Sequence, residues 1–523
     1  MALAGLIALA APALWGQSAE LDADRVVVLA RGPDEDVVVD AATVDALQQG
    51  ITIFQRSRAG DLLGSYLNER FENLARTEQL ELFQAEQRFD DVFIDGDEVF
   101  EFEPERALGG GQGPFAADLP IAARPVHDGD IGGGDGASCR GCHFVGGPDG
   151  AGSSTQRALL RGDGHRVSTA VVRDAPHVMG LGYISRLARE MEADLKASFV
   201  EATDIAATTS LPITVPLQSK GVSFGELVAR PGGSVDTSRV DGVASDLVIR
   251  PFGHKGRHAD LPSLVDEALQ VHLGIQTASR LSTFAGQPAR IGSGTALDPD
   301  NDGHVAPVLV QDGEPGAEAS ASQSLLLAAY LSMLGVPEIH PPRSPDLLTR
   351  WARGRELFES TGCTLCHVER LPMNSPNVVV DAVGGFTGSL AFSLAEFGQE
   401  PRALRTDFAP GSGPTDSVPI FAFSDLKRHE MGTALSDAID EVPPDGSDVV
   451  AASVWLTRSL WGVADTAPYL HDGRAATLDE AIGLHGGEAA GVRDAYLLLS
   501  NTEQASLRAF LVSLTRAGAV LVE

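Results

Sequence analysis

The chain has 523 residues and four cysteines, all in two copies of one pattern: Cys139 and Cys142 in CRGCH, Cys363 and Cys366 in CTLCH. Two thiols three residues apart can add to the two vinyl groups along one porphyrin edge. The histidine that follows at once then brings its imidazole onto the iron. A zinc site made of two Cys pairs has no need of that histidine, and a thioredoxin-like pair needs a βαβ setting that is absent here. The residues therefore predict two covalently bound haem c groups, with His143 and His367 as proximal iron ligands. Because such haems are attached after export in bacteria, the motifs also predict a periplasmic or otherwise exported protein.

The chain repeats itself around these motifs. Phe252-Gly-His254-Lys-Gly-Arg257 follows His143, and Tyr469-Leu-His471-Asp-Gly-Arg474 follows His367, with His254 and His471 lying 111 and 104 residues beyond their motifs. Next come Asp266-Glu-Ala-Leu-Gln-Val-His272 and Asp479-Glu-Ala-Ile-Gly-Leu-His485, in frame once four residues are inserted in the first copy. Each reads as a short helix whose end presents an imidazole. His272 and His485 are thus candidates for the sixth position of their irons.

Several spaced segments resemble the di-haem oxidoreductase family, peroxidase-like proteins also labelled thiol oxidoreductases. They are Trp455–Gly462, Ala467–Ala489, Ser424-Asp-Leu-Lys-Arg-His-Glu-Met-Gly432, Phe252-Gly-His-Lys and Leu273–Thr277, and the likeness covers roughly residues 135–515. More distantly the chain is similar to bacterial di-haem cytochrome c peroxidases, in which an axial methionine follows a Tyr-Phe-His-Asp-Gly stretch by fourteen residues. Here the residue fourteen beyond His471 is His485. The resemblance implies a second haem held by His367 and His485, with Met431 or His429 as alternatives. For the first haem it favours His165, which precedes Arg173-Asp-Ala-Pro as a detachable histidine does in the peroxidases. The repeat favours His272, and Met179 and His177 complete the alternatives. His254, His471 and Arg474 are expected around the cofactors, His254 standing where the family usually shows tryptophan.

The elements that must position these groups are expected to be mainly α-helical. The predicted architecture is two cytochrome c-like haem domains in tandem, 135–335 and 346–520, with loop-rich insertions. A small N-terminal extension, 20–134, precedes them, holding two valine-rich strands near 25–40 and a helix at 60–89. Residues 1–19 read as a signal peptide, since the apolar run Met1–Trp15 is too short to span a bilayer, and no membrane span is expected in the mature chain. A helix is expected over 319–334. Asp298, Asp300 and Asp302 open like a calcium loop, against a solvated turn as the simpler reading. The 39 basic and 72 acidic residues give a net charge of −33, which argues against nucleic acid as a partner.

The function expected is a di-haem oxidoreductase that passes electrons through the second haem to a substrate-facing first haem, with hydrogen peroxide as the oxidant. His272 is then an acid–base catalyst or a ligand, and Glu267 and Gln276 lie near it in sequence. The other reading is a non-catalytic di-haem electron carrier. Either way a redox protein such as a small cytochrome or a cupredoxin is the expected partner.

Overall fold

The computed structural model describes residues 135–279, 321–383, 389–394 and 417–515, apart from isolated positions. It also describes short pieces at 26–29, 36–39, 96–101, 126–127, 309–310 and 314–315. The expected signal peptide, the 60–89 helix, Asp298, Asp300, Asp302 and Gln276 lie outside the described residues.

The valine-rich runs pair as an antiparallel hairpin, β1 (Val26–Leu29) with β2 (Asp36–Val39). One helical turn, α1 (Cys139–Cys142), carries the first motif, and β3 (Ala158–Leu160) pairs with β4 (Val171–Arg173) beyond it. Helix α2 (Leu181–Thr209) follows, then an antiparallel sheet of β5 (Ile213–Ser219), β6 (Val222–Ala229) and β7 (Val235–Asp236). Leu187, Met191 and Leu195, four apart along α2, form a buried stripe that packs on this sheet. Helix α3 (Leu261–Ala268) runs into a π-turn, Leu269–Leu273, and α4 (Ala321–Met333) packs against α3 and α2.

The second half opens with α5 (Pro345–Ser360), followed by the second motif in a 3-10 turn. Then come the antiparallel pairs Leu371–Met373 with Val418–Ile420, Asn377–Asp381 with Ser389–Ser393, and Arg428–Glu430 with Val454–Leu456, and helices α6 (Leu478–Gly483), α7 (Ala490–Leu497) and α8 (Asn501–Leu511). Gly354 lets α5 press against α8, where a Cβ would collide with the Ser506 backbone. Phe358, Phe423 and Phe510 fill the crossing with ring centroids 5.4–6.1 Å apart. The first half repeats the device. Helical residues in 96–101, within the stretch expected to be an N-terminal extension, put Gly96 against Tyr330 of α4 and the Phe100 ring 5.5 Å from it.

The expectation of a mainly α fold of two tandem cytochrome c-like domains is corrected. Helix accounts for 39% and strand for 18% of what is described, with several small sheets. The reason lies in the insertions: Asn377–Asp381 alternates exposed and buried residues, turning Val378 and Val380 inward as a strand does. Those valines, with Leu371, Met373 and Leu390, join the same core as Leu325–Leu334 of α4. One apolar cluster therefore takes in residues of both halves, while Leu357, Phe358, Phe423, Tyr496 and Phe510 belong to a second cluster within the second half.

Candidate functional site

In the second half, α5 delivers Cys363 and Cys366 to a turn in which the His367 amide donates to the Cys363 carbonyl at 2.9 Å. His367 Nδ1 donates to the Phe423 carbonyl at 3.0 Å, and burial pushes the ring's pKa down to about 4. A carbonyl can only accept, so Nδ1 holds the proton and Nε2 keeps a lone pair for a metal. Opposite it, α6 begins in a capping box of Thr477 and Glu480 and ends just before His485. His485 Nδ1 donates to the Ala481 carbonyl at 2.8 Å, and burial lowers this ring's pKa too. The two imidazoles lie near enough for His485 to disfavour a charge on His367.

The first half builds the same pair. Ser138 caps the turn of Cys139 and Cys142, and the His143 amide donates to the Cys139 carbonyl at 3.0 Å. His143 Nδ1 donates to the Gly150 carbonyl at 3.3 Å, its pKa also pushed down to about 4 by burial, with His272 as a nearby charge. Phe100 lies 5.9 Å from His143 as Phe358 lies 6.5 Å from His367, ring centre to ring centre. The bridges Phe252–His258 and Tyr469–Ala475 close the two matching loops, and Asp260 caps α3 as Thr477 caps α6. His272 then stands on the π-turn that follows α3.

The first pair differs in one partner. His272 Nδ1 donates to Asp135 Oδ2 at 2.7 Å, the Asp135 amide donates to the His272 carbonyl at 3.0 Å, and Asp135 Oδ1 accepts from His127 Nε2 at 2.8 Å. Burial works to raise the Asp135 pKa, but the two histidines outweigh it and hold the carboxyl at about 2. Burial works to lower that of His272, and the Asp135 bond and charge outweigh it in turn. His127 is itself buried. Neither Asp135 nor His127 was marked by the sequence, where Gly132-Gly-Gly-Asp-Gly136 reads as a flexible loop and His127 as a lone histidine.

Other expected residues sit elsewhere. His165 is exposed in the turn after β3. Met179 is buried in the wall of a cavity of about 20 Å³ shared with His177, Arg458 and Trp461. His429 has both ring nitrogens engaged, with Asp425 at 2.8 Å and Glu488 at 2.7 Å. Burial works against a charge on this ring, yet its partners push its pKa up to about 11. Cys366, Asp425 and His429 lie within 4.8 Å of one another, but a protonated imidazole has no lone pair for a metal. Met431 is half-buried beside Gly486. Glu267 is paired with Arg257 at 2.6 Å and His258 at 3.2 Å, and Arg474 with Asp472 at 2.5 Å.

His254 and His471 meet at the junction of the halves. His254 Nε2 donates to the Asp174 carbonyl at 2.9 Å, and the Asp174 amide donates to the His471 carbonyl at 2.8 Å. His471 stacks on Trp455 at 3.9 Å and 17°, with Lys255 Nζ 3.9 Å from the same indole ring.

The donor set fits haem on both sides. Each motif histidine has a second histidine near enough to act on its charge, all four Nδ1 atoms are anchored, and all four cysteines are free of disulfides. Burial raises the thiols of Cys139 to about 12 and Cys142 to about 11. Among the described residues no helix is long and apolar enough to cross a membrane.

Residues 415–514 match the model of a family described as "Di-haem oxidoreductase, putative peroxidase". A search of curated protein sequences found no match. Among solved structures the chain is similar to hydrazine synthase from Kuenenia stuttgartiensis, in a structure determined under 20 bar of xenon. The two share 20% identity over 44% of this chain and 66% of that one, just under two thirds of its length, with a TM-score of 0.21. A likeness at that score decides nothing about fold or activity.

Proposed function

We propose that this chain, whose residues 415–514 match the di-haem oxidoreductase family, is an exported redox enzyme with two covalent haems. In this reading the His367/His485 site takes up electrons and the His143/His272 site meets a small oxidant of the hydrogen peroxide class. The observation that carries it is the repeated pairing of a motif histidine with a later histidine near enough to act on its charge, each of the four with Nδ1 tied down. Bound haem supplies one-electron exchange and a position where a small molecule can coordinate.

The chain's own contribution is to hold and differentiate the two sites. His485 is anchored by a backbone carbonyl within its own helix, a rigid support suited to a site that only exchanges electrons. His272 is anchored by a side chain, and its own side chain remains 38% exposed. With haem bound, it would be the imidazole that gives way to an incoming oxidant.

Replacing His272 by Ala tests this. The holoprotein should retain two haems, one of which becomes high-spin, binds CO and reacts faster with hydrogen peroxide than the parent, read by stopped-flow absorbance. If neither the reduced parent nor the variant is reoxidised by peroxide faster than by buffer, the electron-carrier reading replaces the enzymatic one.

A further inference from the structure

Of the four Nδ1 bonds in the two sites, one differs in kind, that of His272 to Asp135. On the proximal side both histidines donate to backbone carbonyls, His143 to Gly150 and His367 to Phe423. On the distal side His485 again donates to a carbonyl, that of Ala481, while His272 donates to a carboxylate at 2.7 Å. A carboxylate draws the Nδ1 proton more strongly than a neutral carbonyl does, which adds electron density at Nε2 and strengthens the imidazole as a donor. A stronger donor favours the ferric state.

Asp135 is itself held in place. His127 takes its other oxygen at 2.8 Å, and its amide closes a backbone bond to His272, so that carboxylate and ring form one fixed unit.

We propose that Asp135, braced by His127, is the positioning residue that sets the two haems apart, holding the first at the lower potential. The inference rests on the reading of His272 as an iron ligand.

The test is spectroelectrochemical titration of the two-haem protein carrying Asp135→Asn, which keeps the shape of the acceptor and removes its charge. The ratio of reduced to oxidised first haem at a fixed potential should rise about tenfold, equivalent to about 59 mV for one electron. The second haem should not move, and Asp135→Glu should return the first towards the parent value. No shift, or an equal shift in both haems, overturns the proposal. Should the Asn variant fail to assemble, the parent decides: the haem that His272→Ala turns high-spin must be the lower-potential one, and finding it at the higher potential overturns the proposal. A His272→Ala protein with both haems still low-spin rejects the ligand reading itself, and this proposal with it.

Discussion

At the residue scale, the hydrogen bond of each imidazole is what turns a histidine into a candidate ligand. His485 and His429 lie in the same half, and burial disfavours a charge on both, yet only His485 has its Nε2 free, because Asp425 and Glu488 hold both nitrogens of His429. His485→Ala should therefore convert one haem from low-spin to high-spin. His485→Met should keep it low-spin and raise its potential, since a thioether favours the ferrous state more than imidazole does. An unchanged spectrum in His485→Ala would move the role to another group of the same half. The motif residues were legible in the sequence because thioether chemistry demands one local spacing. Asp135 was not, since it reaches His272 across 137 residues of chain and no local pattern marks it.

At the scale of elements, the glycine-mediated crossing of α5 and α8 is the support on which the second motif sits. Gly354→Ala should cost about 1–3 kcal/mol in chemical denaturation, because the new methyl meets the Ser506 backbone, which cannot move aside. Gly491→Ala, in α7, supplies the contrast. A Cβ there meets nothing within 4 Å, so the same exchange should gain up to about 1 kcal/mol through lower unfolded-state freedom. Equal effects at the two sites would show that the crossing is not under the pressure described. The helices that present His272 and His485 were readable from their acidic starts and apolar spacing, and so was α4. The strands of the insertions were not, because runs as short as Leu371–Met373 become strands only through a partner, Val418–Ile420, that lies far along the chain.

At the scale of the whole molecule, the halves are locked by a buried ionic seam. Arg173 pairs with Asp437 at 2.6 Å and with Glu441 at 3.4 Å, Arg161 reaches Glu441 at 3.2 Å, and Lys255 Nζ donates to the carbonyls of Ala451, Ala452 and Val454. Burial works to raise the Glu441 pKa, but Arg161, Arg257 and Arg173 outweigh it and hold it below the usual carboxylate range. Its contribution to stability is thus complete above the unfolded pKa and is lost as pH falls through the lower folded one. His471 acts in the same direction. Burial, helped by Arg173, Arg474 and Lys255, keeps its ring neutral down to about pH 3, while an unfolded histidine protonates near 6.5. Thermal melts of the holoprotein should fall steadily as the pH drops from about 6.5 to 3. Glu441→Gln should flatten the acid end of that profile, and a parent profile level down to pH 4 would refute the account. The amino-acid sequence by itself determined the two Cys-Cys-His motifs and the repeat that pairs each with a later histidine, because motif spacing and helix periodicity are local. Only the tertiary structure decided that one apolar cluster takes in residues of both halves, that paired strands fill the insertions, and that a carboxylate stands behind His272 and a carbonyl behind His485. Those features depend on contacts between distant segments, whose energy belongs to the packed arrangement and leaves no periodic mark on the chain.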